Sequence, residues 1–445
     1  MAALTTDAAA AALRPPTMST ELGPSPLAEG ERQISVDEAR ASITAALRPL
    51  TEHELVPLVE SLGRVLAADV ISPIDVPAHD NSAMDGFALA SSDLASQGPT
   101  TLQSRGTVFA GTPYAPRIGP GECLRIMTGA AMPPGLDTVV PHELSRVESN
   151  LVHIEAGVVK AGDNRRHRGE DLAAGRAALR AGRILKAADM GLIASLGIGQ
   201  VDVFRRLRVA LFSTGDELRT VGQPLDSGCV YDSNRYSLTG ALQRLGVEVI
   251  DMGLVADDPG ALSATLQAAM EQADVALTSG GVSMGDADHT RDVLASMGEV
   301  AFWKVAMRPG RPFAFGPLWR QGQRDTRGPA SWLFALPGNP VAALVTFYAF
   351  ARDALMQLQG ATPQPAPVLQ ARCTTAIRKR PGRTEFQRAV VEPGNQGWQV
   401  RLTGSQGAGV LRSMSEANAL LVLRHDQASV AAGEMVDVWL FDGLT

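Results

Sequence analysis

The chain has 445 residues, of which 45% are hydrophobic, and its formal net charge is −7. This length allows about two to four domains, and the acidic balance argues against a protein that coats nucleic acid. The three cysteines, Cys123, Cys229 and Cys373, lie far apart, which argues against a disulfide framework or a structural zinc site and fits a reducing cytoplasm. No uninterrupted apolar stretch reaches about 18 residues, so no transmembrane helix is predicted.

The first part of the chain changes character twice. Residues 1–31 combine an alanine run with prolines and small residues, which predicts a disordered tail without the basic start of a signal peptide. Order begins near residue 32, and a helix follows because Ser35 and Glu38 match the capping-box pattern. Residues 75–166 are dense in glycine and proline between short apolar runs, so we predict a small β-rich domain there.

Residues 205–358 alternate between predicted strands and helices. One helix opens with Asp258 as N-cap and Pro259 at its first position, and a long apolar helix starts at Pro340 and ends near Leu358. The alternation predicts βαβ units, that is, a mostly parallel sheet with helices on both faces. In such sheets ligands bind beyond the carboxyl ends of the strands. Polar clusters follow the predicted strands at 213–217, 278–288 and 336–340.

The last part of the chain, residues 359–445, loses the helical period. Its short β-prone segments are separated by Gly, Pro and Asn, which predicts a small β-barrel or sandwich. The fold class predicted for the whole chain is therefore a multidomain combination of α/β and β domains.

Three polar segments lie in the first half of the chain. In residues 77–88 the Asx side chains either bond their own backbone or place Asp85 on a ligand or metal. Thr128 and the glycine after it either offer a hydroxyl and an N–H to an anion or form a plain turn. Residues 164–171 hold four basic and two acidic residues, which is typical either of a self-paired surface cluster or of oxyanion recognition by arginine.

Two segments follow strands of the predicted α/β domain. Asp216 and Glu217 either hold Mg²⁺ or serve as first-turn acids of a helix. Gly280 and Gly281 let a ligand approach the backbone, with the acid Asp288 nearby. The segment is neither a Walker A loop nor a G-x-G-x-x-G fingerprint, and a lone histidine beside it is a poor zinc ligand. Phosphate cradle, metal site and tight turn all remain open.

A sixth segment is basic. Lys304, Arg308 and Arg311 surround a Pro-Gly pair and either clamp phosphate or a small oxyanion, such as molybdate or sulfate, or form a basic strand edge. No single segment identifies an activity. Taken together, they indicate acids and cations around an anionic ligand, with Mg²⁺ as a helper.

The segments also resemble the motifs of one family, in the same order along the chain. They are "DVPAHDNSAMDGFA", "RIMTGA", "NRRHRGEDL", "LFSTGDEL", "YDSNRYSL", "SGGVSMGDAD", "FWKVAMRPGRPFAFG", "LPGNPVAALVTF" and "PGRTEFQRA". From about residue 34 to the C-terminus the chain resembles the molybdopterin molybdenumtransferases, which include the bacterial MoeA proteins and the gephyrin E domain.

The resemblance implies an L-shaped homodimer of four-domain subunits. An elongated discontinuous domain comprises residues 32–74 and 167–204, and the β-rich domain of residues 75–166 is inserted into it. Residues 205–358 form an α/β domain similar to molybdopterin adenylyltransferases, and residues 359–445 form a C-terminal β-barrel.

The reaction implied by the resemblance is the last step of molybdenum cofactor assembly. Adenylyl-molybdopterin and molybdate give molybdenum cofactor and AMP, with Mg²⁺ as cofactor. The residue types suit this chemistry, because a phosphoanhydride needs cations that neutralise developing charge. A separate adenylyltransferase is implied as the partner that supplies the substrate in the cytoplasm, without membrane or nucleic acid. Two alternatives are an adenylyltransferase and a non-enzymatic scaffold.

The resemblance also implies roles for individual residues. The catalytic set is Asp85, Thr128, Glu217, Asp257 and Asp288. Asp288, with Glu217 as second candidate, would position Mg²⁺ or pyrophosphate. Phosphate or nucleotide would contact Gly280, Gly281 and Ser283. The anion and molybdate pocket would contain Lys304, Arg308, Arg311 and Arg388. The rim of the site would include Arg166 and Asp171, and the pterin or nucleotide would contact Asp232 and Asn234.

The sequence departs from the family pattern at a few positions. Arg308 and Arg311 stand where many members have lysine, so the charge is kept but a planar fork replaces a point charge. Ala342 stands where serine is common, and the segment around Ser413 matches the family more loosely than the rest.

Overall fold

The structure is a computed structural model that describes residues 33–112, 114, 116–281, 288–320 and 328–441. For Asp288 and His289 the description covers the helical backbone only. The predicted disordered tail, residues 1–31, lies outside the described residues. The chain divides into two compact units, one formed by Glu52–Phe204 and the other by the residues before and after it.

The strands, in chain order, are β1 (Gln33–Ile34), β2 (His53–Pro57), β3 (Val70–Ile71), β4 (Asn81–Ser82), β5 (Gly86–Leu89), β6 (Thr100–Val108), β7 (Glu122–Ile126), β8 (Thr138–Pro141), β9 (Ser145–Glu148), β10 (Leu151–Ile154), β11 (Arg165–Arg166), β12 (Ala177–Leu179), β13 (Gln200–Phe204), β14 (Arg208–Thr214), β15 (Leu218–Arg219), β16 (Val230–Tyr231), β17 (Glu248–Val255), β18 (Val275–Ser279), β19 (Ala301–Val305), β20 (Met307–Arg308), β21 (Pro312–Leu318), β22 (Ser331–Leu336), β23 (Val368–Cys373), β24 (Thr384–Gly394), β25 (Gly397–Leu402), β26 (Ala419–Leu423) and β27 (Met435–Leu440). The helices are α1 (Val36–Ala46), α2 (Ala187–Ser195), α3 (Ser233–Arg244), α4 (Pro259–Gln272), α5 (Asp288–Met297), α6 (Pro340–Thr346), α7 (Arg352–Leu358) and α8 (Leu411–Glu416), with a π-helical turn at Phe347–Ala351.

The unit Glu52–Phe204 contains a six-stranded sheet in the order β8-β5-β7-β6-β10-β9. Its residues alternate between two apolar clusters, one around Phe87 and Val152 and the other around Leu124 and Val139, as expected for strands buried on both faces. The predicted β-rich domain is confirmed. Beside it, β2 pairs with β13 and β3 with β12, so strands from before and after the inserted sheet meet. The boundaries of the discontinuous domain stay a prediction.

The second unit is built on a seven-stranded sheet in the order β1-β19-β21-β22-β18-β14-β17. The central strands β22, β18, β14 and β17 run parallel, whereas β21 is antiparallel to both of its neighbours. Helices α1, α3, α6 and α7 bury their apolar residues on one face, and α4 and α5 do so on the other. The predicted mostly parallel sheet with helices on both faces is therefore confirmed. β1 and α1, which the prediction grouped with residues 32–74, pack on this sheet.

The C-terminal strands close into a barrel. β24, β25, β23, β27 and β26 follow one another, and β26 pairs back to β24, which leaves no open edge in this ring. The barrel interior contains Ala371, Val400 and Val438, all fully buried. The predicted small β-barrel is confirmed.

Local sequence signals predict where two helices begin. Ser35 and Glu38 form the predicted capping box of α1, and Asp258 caps α4 with Pro259 at its first position. The helix over Pro340–Leu358 is apolar and long enough to cross a membrane by composition alone, but 78% of its apolar window is buried inside the protein. Burial of this kind is typical of a core helix.

Candidate functional site

Three parallel strands end side by side at the carboxyl edge of the seven-stranded sheet. β14 ends at Thr214, β18 continues into Gly280 and Gly281, and β22 ends at Leu336, whose carbonyl oxygen accepts a hydrogen bond from Gly280 N at 3.0 Å. Gly280 has a φ of +100°, and a Cβ there would lie 2.4 Å from the carbonyl oxygen of Thr214. Only glycine fits this approach, and the Gly280–Gly281 turn lies at the edge where ligands of a parallel sheet bind.

The first residues of α3 tie this edge together. Asn234 Nδ2 donates to Ser279 Oγ at 2.6 Å and to the carbonyl oxygen of Gly338 at 2.7 Å, so it links the ends of β18 and β22. Asp232 is 1% exposed and accepts hydrogen bonds from Ser213 Oγ at 3.0 Å and from the Arg235 backbone and side chain. Both predicted substrate-contacting residues therefore make internal bonds that position the edge.

Ser213, Ser279 and Arg235 are parts of this edge that sequence reasoning did not select. Ser213 and Ser279 follow apolar strand residues, and their hydroxyls point to the α3 face of the sheet. Arg235 also donates to Asp251 Oδ2 at 2.6 Å, which fixes α3 to β17. A polar residue at the end of an apolar strand was the one sequence signal for these serines. A single serine at that position forms no recognisable motif, so the signal did not distinguish them from other strand ends.

Acidic side chains lie beside the same edge. Asp216 and Glu217 occupy a turn before β15, and Asp257 N donates to Asp216 Oδ1 at 3.2 Å. Burial raises the pKa of Asp257, and the negative charges of Asp216 and Glu217 raise it further. The alternative of first-turn helix acids is wrong for Asp216 and Glu217, because a short strand rather than a helix follows them.

The described acidic residues test the predicted Mg²⁺ site only in part. In the described part of the chain, no three His, Cys, Asp or Glu side chains are grouped closely enough to form a metal site by themselves. The raised pKa of Asp257 nevertheless marks a concentration of negative charge that a divalent cation would relieve. Ser283 and the side chain of Asp288 lie outside the described residues.

Two of the four predicted cations, Arg308 and Arg388, lie close together. Arg388 is fully buried in β24; its Nε donates to Ser413 Oγ at 3.1 Å, and its guanidinium donates to the carbonyl oxygens of Ser405 and Gly407 at 3.2 and 2.9 Å. Burial and, to a smaller extent, the nearby charge of Arg308 together lower the pKa of Arg388 to about 10. Two cations thus lie close together, and β20, which carries Arg308, pairs with β24.

The loop between β25 and α8 surrounds Arg388. Gln406 accepts a hydrogen bond from Arg388 N at 2.8 Å and donates to its carbonyl oxygen at 3.1 Å. Val341 N, at the start of α6, donates to the carbonyl oxygen of Ala408 at 3.0 Å. Gly310 packs on the same helix, because a Cβ there would lie 2.5 Å from Thr346 Oγ1. The loop that surrounds Arg388 and the turn that follows Arg308 are therefore both anchored on α6.

Lys304 and Arg311 lie on either side of Arg308 along the chain. Lys304 is half-buried in β19 and pairs in register with Pro312 of β21. Arg311 is exposed, and its carbonyl oxygen accepts a hydrogen bond from Val305 N at 2.8 Å. The structure thus places Arg308 and Arg388 together, with Lys304 in β19 and Arg311 directly before β21.

In the unit Glu52–Phe204 the structure joins Asp85 and Thr128. The Thr128 backbone N and hydroxyl both donate to Asp85 Oδ1 at 2.7 Å. These two bonds lower the pKa of Asp85, with a smaller contribution from the charge of Arg125. Because Gly129 N also donates to the carbonyl oxygen of Ser82 at 2.8 Å, the segments around Asp85 and Thr128 form one exposed acidic turn.

Arg166 lies in β11, which pairs with β4 in the same unit. Its side chain donates to Glu170 at 2.6 Å and to Asp171 at 2.5 Å, and these bonds raise its pKa. The contacts are those of the self-paired surface cluster, one of the two readings of this segment. A role of Arg166 and Asp171 at the rim of a site stays a prediction.

Comparison with known proteins gives a consistent result along the chain. Residues 34–197 match the MoeA N-terminal region (domain I and II), residues 210–357 match a probable molybdopterin binding domain, and residues 370–441 match the MoeA C-terminal region (domain IV). The chain is 40% identical over 413 residues to a molybdopterin molybdenumtransferase of Haemophilus influenzae, covering 92% of this chain and 99% of that protein.

Further relatives and solved structures agree. A molybdopterin molybdenumtransferase of a Nostoc species is 37% identical over 393 residues, covering 86% of this chain and 88% of that protein. The crystal structure of a molybdopterin biosynthesis MoeA protein from Pyrococcus horikoshii OT3 superposes with a TM-score of 0.78 at 26% identity, covering 92% of this chain and all of that one.

Proposed function

Because the chain belongs to the MoeA family of molybdopterin molybdenumtransferases, we propose that it inserts molybdenum from molybdate into adenylyl-molybdopterin and releases AMP, with Mg²⁺ as cofactor. The protein is a transferase of molybdenum cofactor biosynthesis. The adenylylated substrate, the AMP product and the metal are the parts of this proposal that need experiment.

The observation that carries the proposal is the pair of cations at Arg388 and Arg308. Within the described residues, Arg388 is fully buried with neutral hydrogen-bond partners only, and Arg308 beside it makes no ion pair. Burying a cation without an opposite charge is unfavourable, and binding of an oxyanion relieves this cost. Arginine suits the task because its planar fork of N–H groups matches a tetrahedral oxyanion. Molybdate is such an anion, so we place it here.

The carboxyl edge of the sheet supports the proposed phosphate site. Gly280 and Gly281 both have positive φ, which exposes a stretch of backbone without side chains. Asn234 holds this backbone against β22. A phosphoanhydride placed here would lie at the same edge as Asp257 and Glu217.

The acidic residues at this edge fit Mg²⁺ as the cofactor. Asp288 and Glu217 are the ligands implied by the family, and carboxylate oxygens are the ligands that Mg²⁺ prefers. Asp216 and Glu217 add negative charge beside Asp257 and raise its pKa, after the larger effect of burial. Mg²⁺, when bound, neutralises the charge that develops on phosphoanhydride oxygens as AMP leaves. Without a cation between them, the carboxylates and the anionic substrate would repel each other.

The direct test is to incubate the purified protein with adenylyl-molybdopterin, molybdate and Mg²⁺, and to measure AMP and molybdenum cofactor. Both products should appear together and depend on each of the three additions. Arg308→Ala should raise the molybdate concentration needed for half-maximal activity, whereas the matched variant Arg308→Lys, the residue many family members carry, should stay close to wild type.

Two outcomes would instead assign another function. Adenylylation of molybdopterin by ATP without molybdate would identify an adenylyltransferase. Cofactor formation that is unchanged in Asp288→Ala would leave a non-enzymatic scaffold as the better description.

We also propose that the protein is a cytoplasmic homodimer that receives its substrate from a separate adenylyltransferase. Leu55, Val59 and Leu62 of the unit Glu52–Phe204 are 62%, 81% and 60% exposed, and such apolar side chains favour burial against a second copy. The three cysteines are free thiols, as expected in a reducing compartment. Light scattering of the purified protein tests the dimer, and a Val59→Glu variant should be monomeric.

A further inference from the structure

Two threonine hydroxyls near the carboxyl edge of the sheet have no hydrogen-bond partner. Thr214 and Thr278 are 8% and 6% exposed, and the Oγ1 atom of each is fully buried. A buried hydroxyl without a partner destabilises a fold, and nearly all such groups in proteins are bonded to protein or to water. The two hydroxyls do not bond to each other either. Their pairing therefore requires a third group.

Both threonines are among the residues that line one small cavity between the sheet and helices α4 and α5. Gly280, Gly281 and Thr290 close it near the edge, and apolar side chains such as Phe212 and Leu266 line the rest. The cavity volume open to water is about 10 Å³, which is the space that one water molecule needs. An apolar cavity of this size stays dry, but two hydroxyls supply the polar partners that a buried water requires.

The cavity lies directly beneath the glycine turn. A Cβ on Gly280 would be 2.8 Å from Thr214 Oγ1, and a Cβ on Gly281 would be 3.1 Å from the same atom. The hydroxyl of Thr214 thus supports the backbone of both glycines. Whatever fixes the orientation of this hydroxyl also fixes the turn.

We propose that Thr214 and Thr278 together hold one buried water under the Gly280–Gly281 turn, and that Thr214 is thereby a positioning residue for the phosphate group of the substrate. The second part rests on the proposed function, in which this turn binds phosphate. The water accepts from one hydroxyl and donates to the other, so both are satisfied. The bonded Thr214 then keeps the Gly280–Gly281 turn in its observed conformation.

A double-mutant cycle on stability tests the water without any substrate. Thr214→Val and Thr278→Val each keep the shape of the side chain but remove its hydroxyl. Each single variant should lower Tm by about 2–4 °C, because the remaining hydroxyl loses its partner. The double variant should recover most of this loss, since no buried hydroxyl is left unpaired.

Unpaired hydroxyls predict the opposite pattern. Each single variant would then raise Tm, and the two increases would add; that result would overturn the proposal. Thr214→Ser, which keeps the hydroxyl, serves as the control for changes in packing. A crystal structure should show a water within hydrogen-bonding distance of both hydroxyls, and clear density without it would also overturn the proposal.

Kinetics test the positioning role. Thr214→Val should raise the KM for adenylyl-molybdopterin by roughly five- to tenfold, with kcat and the KM for molybdate little changed. A wild-type KM in an active Thr214→Val protein would reject the positioning role. If the wild-type protein does not consume adenylyl-molybdopterin at all, the proposed function fails, while the stability cycle still decides whether the water is held.

Discussion

Replacing Gly280 with alanine tests the close approach of β18 to β14 at the sheet edge. The new Cβ would meet the Thr214 carbonyl oxygen at 2.4 Å and its hydroxyl at 2.8 Å, and the backbone would have to keep a φ of +100°. The left-handed conformation costs about 1–2 kcal/mol for a residue with a Cβ, and overpacking adds about 1–3 kcal/mol. We therefore expect Gly280→Ala to lower the free energy of unfolding by about 2–5 kcal/mol.

Gly338→Ala is the matched control at the same edge. Its Cβ would have only the Cα of Gly280 nearby, at 3.8 Å, which is ordinary van der Waals contact. Urea unfolding followed by circular dichroism should show a large loss for Gly280→Ala and a small change for Gly338→Ala. Equal effects of the two substitutions, or a Gly280→Ala protein as stable as wild type, would refute the reasoning from close approach.

Three further predictions concern the polar residues Asp257, Asp85 and Asn234. Asp257 has a raised pKa, so the folded protein holds this proton more tightly and stability falls as pH rises through that pKa; Asp257→Asn should therefore raise Tm at pH 7. We expect Mg²⁺ to raise the Tm of the wild type, and Asp257→Asn should reduce that increase. Asp85 has a lowered pKa, so its bonds to Thr128 stabilise the fold at pH values above the ordinary carboxyl pKa of about 3.9. This contribution is lost as pH falls through the pKa of the folded state. The Tm difference between wild type and Thr128→Val should therefore be present at pH 7 and vanish in acid. Asn234→Ala removes the donor to the buried Ser279 hydroxyl and the bond to the carbonyl oxygen of Gly338, and it should reduce the free energy of unfolding by about 1–3 kcal/mol in urea titrations. An unchanged midpoint would show that Asn234 does not hold the edge.

Much of the fold was predictable because its signals are local. The capping box at Ser35 and Glu38, the Asp258-Pro259 start of α4, and the alternation of apolar runs with polar turns each follow from neighbouring residues. The same holds for Gly280, since a glycine pair after a buried strand indicates backbone that must come close to something else.

The parts of the site that sequence reasoning could not supply depend on distant residues. Asp85 and Thr128 are separated by 43 positions, so nothing local shows that one caps the other. Arg388 is fully buried, although an arginine in an alternating strand is ordinarily exposed.

The segment from Leu336 to Val341 explains how the two proposed anion sites can serve one reaction. Its first residue accepts a hydrogen bond from Gly280, and Gly338 accepts one from Asn234, so this end belongs to the phosphate edge. Its last residue donates to Ala408, in the loop that surrounds Arg388. A chain of six residues therefore spans from the proposed phosphate turn to the proposed molybdate cations. Two prolines, Pro337 and Pro340, restrict the backbone of this segment. We therefore expect that a bulky substitution at Gly338, unlike Gly338→Ala, alters the apparent affinities for both substrates together.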